Sequence, residues 1–348
     1  MDTLIHPTHC EIVVDSPDND DDIRELGRIC KEWLLNKQIV LLRKQNTDSN
    51  YFAKLSESIA RDGIYNWRQC SWMPNGDLIE LPDQVAGNIG YTTTPEANND
   101  PWNNSKKLAW NSTTAAAIDK TLPRINPFDL KEPNTYPVQR VTGEKKGKFG
   151  GGIFGTGDLD WHCNLGNYYE ADGVGLQAIK DAGDASTFYA NSVPALKEMP
   201  DELRARCEGK RATFLYDHKK WSDVSKMHPM QRITMQFLAL NLDRREMEMN
   251  LIQKNRKGIE GIYFHRLNNM KIEGDETLVQ DLYEWMFQDK YVYEHRWETG
   301  DIIFMDQLIT QHKREFVAEE LLERRVLHRF TFMVNNDDEW VREQQNSF

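Results

Sequence analysis

Two short segments that lie far apart in the sequence place the strongest constraint on how this chain can fold. The first is WHCN at residues 161–164, and the second is GDIIFMDQLITQHKREFVAEELLERRVLHRFTF at residues 300–332. If the first segment belongs to a strand, His162 and Asn164 share one face, because successive strand side chains alternate between faces. A histidine and an oxygen ligand on one face can bind one metal ion. A histidine from a distant strand, His312, would complete a facial set that leaves positions open for substrate and oxygen.

Asn164 does not fit this pattern completely. A site of two histidines and one carboxylate requires Asp or Glu two residues after the first histidine, and this chain has an asparagine there. The amide offers a carbonyl oxygen but carries no charge. We therefore expect iron to bind more weakly here than at a site with a carboxylate ligand.

Two arginines follow His312 within the second segment. On a strand, Arg325, Leu327 and Arg329 would share a face. A buried guanidinium is costly unless an anion pairs with it. A small dicarboxylic acid would suit such a face, because guanidinium binds carboxylate through two parallel hydrogen bonds. A structural ion pair to Asp or Glu is the other explanation of these arginines.

Composition limits the classes of protein to which the chain can belong. It has 348 residues, of which 39% are hydrophobic and 28% are charged, which is typical of a soluble globular protein. A net charge of −12 argues against a nucleic-acid partner, because binding phosphates requires clustered Lys and Arg. No apolar run approaches the roughly 18 residues of a membrane helix. Five cysteines without a CxxC pair predict reduced thiols in a cytoplasmic protein. A homo-oligomer remains open.

Hydrophobic periodicity predicts a few helices followed by many short strands. The predicted helices are 21–36, 48–62, 193–198, 200–206 and 275–288, with another near 113–120. The predicted strands are 11–14, 38–43, 158–164, 173–179, 185–189, 211–216, 235–239, 260–266, 291–296, 301–305 and 327–334. Residues 89–136 form a long irregular excursion that could serve as a lid over a site. Many short strands separated by Gly, Asp and Asn turns predict a barrel or sandwich.

Several ordered segments resemble the TauD/TfdA (taurine dioxygenase-like) family of Fe(II)- and 2-oxoglutarate-dependent oxygenases. WHCN resembles the family's Trp-His-Thr-Asp box, GDIIFMDQLITQH its distal-histidine box, and ERRVLHRFTF its arginine box. AGDASTFYANS at 182–192 resembles the segment whose threonine helps to bind the 2-oxoglutarate tail. The opening helix, QIVLLRKQN and the next helix also resemble the start of the family's fold. The resemblance spans nearly the whole chain.

This resemblance implies a fold class and a domain organisation. The family fold is mainly β with helical additions (α+β), built on a double-stranded β-helix, the cupin-like jelly roll. Residues 1–348 would form one domain, with the lid candidate at 89–136 as an insertion.

The resemblance also implies roles for particular residues. His162 and His312 would be ligands of Fe(II), with Asn164 at the third ligand position. Arg325 and Thr187 would hold the distal carboxylate of 2-oxoglutarate. Arg329 would lie near the cofactor or near an anionic group of the substrate. No catalytic side chain beyond the metal ligands is implied.

The implied reaction oxidises a small-molecule substrate with O2 while 2-oxoglutarate is decarboxylated to succinate. Asn164 leaves four alternatives open. The chain could be a working oxygenase with a weak amide ligand, or a binding protein that has lost activity. It could also be an Asp-to-Asn variant, or a halogenase, since related enzymes replace the Asp with a small residue and seat a halide there.

Overall fold

The computed structural model describes residues 1–60, 64, 125–146, 149–150, 158–163, 173–180, 186–215, 246–266, 270–316, 321 and 324–334. The described residues form a mixed α/β structure, with more sheet than helix. Two larger sheets, one of seven strands and one of four, carry the residues singled out by the sequence.

The first helix shows how the local sequence sets its ends. The Asn19 side chain caps the helix by accepting a 2.9 Å hydrogen bond from the Asp22 amide, and acidic residues occupy the first turn. The helix ends where Gln38 takes a left-handed backbone conformation with φ of 64°. One face carries the buried residues Ile23, Leu26, Gly27, Cys30 and Leu34. That face packs against the second helix.

The helices in the described ranges are short apart from the first. They are α1 (Asp20–Lys37), α2 (Ser49–Ile59), α3 (Ser192–Lys197), α4 (Asp201–Cys207) and α5 (Leu278–Met286), with 3-10 turns at Pro127–Asp129 and Asp289–Tyr291. None of the helices in this part of the chain combines the length and the apolar composition needed to cross a membrane.

The seven-stranded sheet has the order β1-β2-β3-β16-β8-β18-β4. Its strands are β1 (Asp2–Ile5), β2 (Cys10–Val13), β3 (Ile39–Leu42), β4 (Gln139–Thr142), β8 (Gly173–Lys180), β16 (Ile302–Asp306) and β18 (Val326–Phe332). Neighbouring strands are antiparallel except for β2 and β3, which run parallel. Strand β8 lies between β16 and β18, so strands distant in sequence meet at the centre of this sheet.

The four-stranded sheet has the order β15-β9-β17-β7, and all of its pairs are antiparallel. Its strands are β7 (Leu159–His162), β9 (Ser186–Asn191), β15 (Val292–Arg296) and β17 (Thr310–Arg314). Smaller ladders join β10 (Arg211–Leu215), β11 (Glu246–Asn250) and β14 (Lys271–Ile272), then β12 (Ile252–Lys254) and β13 (Glu260–Ile262), and finally β5 (Lys145–Lys146) and β6 (Phe149–Gly150).

One hydrophobic cluster draws its members from both larger sheets. From the seven-stranded sheet come residues such as Leu41, Leu176, Met305 and Leu327, and from the four-stranded sheet comes Tyr189. Helices α1 and α2 bury a second cluster that includes Phe304 and Phe330 of the seven-stranded sheet. Apolar contact on both sides therefore holds the seven-stranded sheet in place.

The predicted helices and strands that fall in the described ranges occur within a few residues of their expected positions, with one clear exception. The strand expected at 260–266 ends at Ile262. Residues 263–265 are buried without strand pairing and join the core through Tyr263 and Phe264. The structure also adds strands that the sequence did not predict, among them β1, β4, β11 and β17.

The strand predicted at 301–305 does not include His312, and the structure places His312 on a further strand that the sequence did not predict. His312 lies in the middle of this separate strand, β17, in the other large sheet. The reason is a tight turn after β16. The Asp306 carboxylate accepts hydrogen bonds from the amides of Leu308 at 2.8 Å and Ile309 at 3.2 Å. The chain therefore crosses from one sheet to the other before His312.

Several predictions lie outside the described residues. These are the strand at 235–239, the helix near 113–120, and most of the excursion at 89–136. Asn164 is also outside them. The described end of the excursion contains a 3-10 turn at Pro127–Asp129.

Candidate metal and carboxylate site

The two histidines singled out by the sequence lie directly opposite each other. Strands β7 and β17 pair antiparallel with His162 and His312 as register partners. Their ring centroids are 4.2 Å apart, and the ring planes are inclined by 46°. Directly opposed residues of an antiparallel pair project from the same face of the sheet. Both side chains line the same cavity.

A backbone hydrogen bond sets which nitrogen of His162 can bind a metal. The Nδ1 atom of His162 lies 2.7 Å from the carbonyl oxygen of Asp160, so Nδ1 carries the proton and donates it to that oxygen. The Nε2 lone pair is then free to bind a metal, which is the usual arrangement of metal-binding histidines. Burial lowers the pKa of His162 to about 4, so the imidazole is neutral at physiological pH.

His312 is also held neutral. Burial lowers its pKa well below the ordinary value, and the positive charges of a protonated His162 and of Arg329 lower it further. Two neutral imidazoles on one wall of a cavity form a donor set for a divalent metal ion, because histidine binds metals in its neutral form.

The cavity brings together the described residues predicted for the site. It has a volume of about 50 Å³. It is lined by Val141, Leu159, His162, Leu176, Thr187, His312, Arg314, Arg325, Leu327 and Arg329. The predicted metal ligands His162 and His312 therefore share one cavity with the predicted carboxylate-binding residues. Asn164, at the third ligand position, lies outside the described residues.

Arg325 is a buried cation with unused hydrogen-bonding capacity. Only 4% of the residue is exposed, and its Nη1 atom finds no hydrogen-bond partner among the described residues. Burial, followed by the nearby charge of Arg314, lowers the pKa of Arg325 to about 9, although Tyr189 opposes this effect. A buried guanidinium without a counter-charge is costly. An anion that entered the cavity would relieve this cost.

Arg329 lines the cavity and contacts the neighbouring strand β4. Its guanidinium donates a hydrogen bond to Oε1 of Gln139, its register partner on β4. Its positive charge lowers the pKa of both His162 and His312, which places it close to them. Arg329 therefore lies close enough to the histidine pair for its charge to act on both rings.

Thr187 is held by a buried tryptophan. The indole Nε1 of Trp297 donates a 2.9 Å hydrogen bond to Oγ1 of Thr187. Both residues are buried, with 3% of Trp297 and 4% of Thr187 exposed. A hydroxyl group can accept from one partner while donating to another. The Thr187 hydroxyl can therefore accept from Trp297 and still donate to another group.

Two further polar residues near His162 point to other partners. The Asp160 carboxylate accepts a 2.7 Å hydrogen bond from the Trp161 amide and lies 3.4 Å from Nε of Arg266. The His265 ring is buried with its centroid 5.8 Å from that of His162. The described part of the chain holds no group of three or more His, Cys, Asp and Glu side chains arranged as metal ligands.

Sequence reasoning missed two residues of this site. Arg314 is two residues after His312 on β17, and it lines the cavity while only 4% exposed. Burial lowers the pKa of Arg314 to about 10, while the charge of Asp158 raises it. Strand alternation around His312 could have revealed Arg314. Trp297 gave no comparable signal, because its contact with Thr187 joins residues that are 110 positions apart in the sequence.

The described residues fit both groups that the sequence resemblance implies. Two neutral histidines on one face suit a divalent metal ion. A buried arginine with an unpartnered N–H, beside a threonine hydroxyl, suits a carboxylate.

Comparison with known proteins identifies the family. The model of the family described as taurine catabolism dioxygenase TauD, TfdA family matches residues 105–331, which is more than half of the chain. This chain belongs to the TauD/TfdA family.

One curated relative shares about half of this chain. The pentalenolactone F synthase of Streptomyces avermitilis is 24% identical over 185 residues, covering 49% of this chain and 60% of that protein. The chain thus spans about three fifths of the length of this TauD/TfdA relative.

Two solved structures share the fold. A taurine dioxygenase from Burkholderia xenovorans has a TM-score of 0.54 and 14% identity, covering 95% of this chain and 89% of the other. AAD-2 in complex with Mn(II) and N-oxalylglycine has a TM-score of 0.53 and 12% identity, covering 95% and 97%. These likenesses show a TauD-type dioxygenase fold.

Proposed function

We propose that this TauD/TfdA protein is an Fe(II)- and 2-oxoglutarate-dependent oxygenase that hydroxylates a small-molecule substrate with O2. One observation carries the proposal. Two neutral histidines face the same cavity as a buried arginine whose Nη1 finds no partner in the described part of the chain. That combination suits a metal ion and a metal-bound dicarboxylate together.

The roles of the residues follow from their positions. His162 and His312 would hold the iron, and Asn164 would lie at the third ligand position. Arg325 and Thr187 would hold the distal carboxylate of 2-oxoglutarate. Arg329, beside the histidines, would neutralise negative charge of the cofactor or substrate near the metal.

The bound iron would supply the oxidation chemistry, in which 2-oxoglutarate is decarboxylated to succinate as O2 is consumed. The protein would position the metal ligands, supply positive charge for the carboxylates, and keep water out of the cavity. Asp160 orients the His162 ring through its backbone carbonyl. The apolar residues Val141, Leu176 and Leu327 line the same cavity and exclude water from it.

The wider architecture is part of the same proposal. We place the seven-stranded and four-stranded sheets as the two faces of a double-stranded β-helix, the jelly roll of the family. Residues 1–348 would form one domain. The insertion at 89–136 would act as the lid over the substrate.

The test is turnover of 2-oxoglutarate by the full chain with Fe(II) in air. Succinate should form, and His312→Ala and Arg325→Ala should each reduce its formation. For Arg325→Ala, calorimetry with Mn(II) under anaerobic conditions should show 2-oxoglutarate affinity weakened by at least about 2 kcal/mol, as for loss of a buried charge partner. Unchanged affinity would remove Arg325 from the site.

The outcome of the same assay separates the alternatives that Asn164 raises. Succinate formation would support an oxygenase or a halogenase, and dependence on chloride would favour the halogenase. Binding of 2-oxoglutarate without succinate formation would favour a protein that binds the cofactor but has lost activity.

A further inference from the structure

A row of aromatic side chains crosses the four-stranded sheet, starting at the cavity. Tyr293 of β15 is the register partner of Tyr189 on β9, and Tyr189 is the register partner of His312 on β17. Directly opposed residues of antiparallel strands project from the same face, so the three rings follow one another. The ring centroids of His312 and Tyr189 are 6.3 Å apart, and those of Tyr189 and Tyr293 are 6.4 Å apart. We call these three residues the aromatic row.

The two ends of the aromatic row lie in different surroundings. His312 lines the cavity at one end, and Tyr189 in the middle is fully buried. Tyr293 at the other end is partly exposed, and its ring stacks on that of His9 with 3.9 Å between the centroids. The aromatic row therefore connects the candidate metal site with a ring that solvent can reach.

Tyr293 has a base within reach of its phenolic proton. Its hydroxyl oxygen lies 2.8 Å from Nδ1 of His295, two residues further along β15. Nε2 of His295 in turn lies 3.3 Å from Oδ2 of Asp301. The carboxylate favours the tautomer with the proton on Nε2, which leaves the Nδ1 lone pair to accept from Tyr293. Burial lowers the pKa of His295, so the ring is neutral and can take up a proton.

This arrangement suits the reversible oxidation of a phenol. A phenol that loses an electron also releases its proton, and the base that takes this proton must lie within hydrogen-bond distance. His295 is such a base. The imidazolium that forms would be stabilised by Asp301, which accepts a 2.8 Å hydrogen bond from Arg43 through Oδ2. The Oδ1 atom of Asp301 finds no hydrogen-bond partner in the described part of the chain, so the carboxylate has further accepting capacity.

We propose that Tyr293 is a redox-active tyrosine that carries one-electron oxidising equivalents away from the cavity along the aromatic row. This inference goes beyond the proposed function but rests on it for the source of the oxidant, which is O2 consumed when no substrate is bound. Oxidising equivalents that stayed in the cavity would modify the side chains that line it. Their removal would protect the site.

The electrons and protons of this transfer balance. Tyr189 gives one electron to the oxidant in the cavity and takes one from Tyr293, so Tyr189 ends unchanged. Tyr293 loses that electron and passes its proton to Nδ1 of His295, which leaves a neutral phenoxyl radical. A small soluble one-electron reductant such as ascorbate then returns the electron to Tyr293, and His295 returns the proton.

The first experiment tests Tyr293 without any metal. The iron-free full chain is oxidised with flash-generated tris(bipyridine)ruthenium(III), a soluble one-electron oxidant, and frozen for electron paramagnetic resonance. Wild type should give a tyrosyl signal that Tyr293→Phe loses. The matched control is Tyr291→Phe, because Tyr291 donates a 2.9 Å hydrogen bond to the exposed Glu198 and lies outside the aromatic row. A signal that survives in Tyr293→Phe, or that both variants lose equally, would overturn the proposal.

The proton acceptor is tested with His295→Gln. The amide can still accept a hydrogen bond from Tyr293, but it is too weak a base to hold the proton, so the tyrosyl signal should be lost. An unchanged signal would overturn the proposal. If this variant does not fold, electron–nuclear double resonance on wild type replaces it. The phenoxyl radical should then show coupling to one hydrogen-bonded proton that exchanges in D2O, and the absence of this coupling would overturn the proposal.

The aromatic row is tested with an oxidant that arises in the cavity. The full chain is mixed with Fe(II), 2-oxoglutarate and O2 without a substrate and is then frozen. The Tyr293 radical should form in wild type and be lost in Tyr189→Phe, because a phenyl ring is much harder to oxidise than a phenol. Under flash oxidation, Tyr189→Phe should keep the signal. Equal signals from Tyr189→Phe and wild type in both experiments would overturn the path through Tyr189.

Succinate measured in the same samples separates this inference from the proposed function. Wild-type protein that forms no succinate would reject the proposed function and, with it, the source of the oxidant. Succinate formation without a Tyr293 radical would reject only this inference.

Discussion

Trp297 donates a 2.9 Å hydrogen bond from its indole Nε1 to Oγ1 of Thr187, and this contact fixes the direction of the threonine hydroxyl. Trp297 immediately follows β15, which pairs with β9 so that His295 is the register partner of Thr187. Because the hydroxyl oxygen accepts from the indole, the hydroxyl can still donate its proton to another acceptor. Trp297 is therefore a positioning residue for the cofactor site.

Trp297→Phe should weaken 2-oxoglutarate binding about fivefold, because one hydrogen bond of about 1 kcal/mol no longer orients the hydroxyl. Calorimetry with Mn(II) and 2-oxoglutarate measures this change. The matched control is Trp285→Phe, since the Trp285 indole donates a 2.8 Å hydrogen bond to the Ala195 carbonyl, outside the cavity lining. Equal effects of the two substitutions on cofactor affinity would show that Trp297 acts only through packing.

Asn164→Asp should tighten iron binding and raise 2-oxoglutarate turnover. The amide oxygen is neutral, whereas a carboxylate adds a full negative charge to two neutral imidazoles. Changes beyond the ligands alone alter metal affinity by roughly 10–100-fold, so a charged ligand should have at least that effect. Metal titration and succinate release, each measured on both proteins, test this expectation.

Dependence on chloride distinguishes two possible roles of Asn164, a weak metal ligand or a position that leaves room for a halide. If this position leaves room for a halide, the Asp variant should lose chloride dependence and gain hydroxylation. If Asn164→Asp neither binds iron more tightly nor turns over faster, Asn164 does not lie at the metal, and WHCN has been assigned wrongly to the metal site.

His328 should make the fold sensitive to mild acid. It is 1% exposed on β18, between Gln177 and Arg140 as register partners, and neither ring nitrogen has a hydrogen-bond partner in the described residues. Burial, and then the charge of Arg140, lowers its pKa to about 3. The folded state therefore binds fewer protons than the unfolded state, whose histidine has a pKa of about 6.5.

The sign of this effect follows from proton linkage. The stability that neutral His328 contributes is fully present above pH 6.5, and it declines as the pH falls from 6.5 towards 3. The slope is about 1.4 kcal/mol per pH unit for one group. Between pH 6 and pH 4, the unfolding free energy of His328→Gln should fall less steeply than that of the wild type, by about 1.4 kcal/mol per pH unit. Urea unfolding at several pH values measures it, and identical slopes for both proteins would contradict the pKa shift.

The sequence singled out residues that share one cavity, but it did not predict the route of the chain through the sheets. Strand alternation predicted a shared face for Arg325 and Arg329, and His312 was expected to join His162 from a distant strand. All four residues line one cavity. The local sequence can reveal these residues, because each lies in or beside a short strand, and strand side chains alternate between two faces. The strands around them are also bounded by clear apolar runs and turns.

Other features depend on contacts that no local pattern reports. The crossing between the sheets rests on Asp306, whose carboxylate holds the turn that makes β17 a separate strand. The polar residues of β4 gave no strand signal, yet β4 pairs with β18 and places Gln139 beside Arg329. Arg314 and Arg325 come from separate segments of the chain, so only the tertiary structure shows that both line one cavity.

The most direct test of the central claim is anomalous scattering at the iron edge from crystals of the full chain grown anaerobically with Fe(II) and 2-oxoglutarate. The proposed function predicts one iron ion bonded to Nε2 of His162 and to a ring nitrogen of His312, with the distal carboxylate of 2-oxoglutarate against Arg325. Iron bound elsewhere, or to only one of these histidines, would contradict the proposed metal site and the function that rests on it.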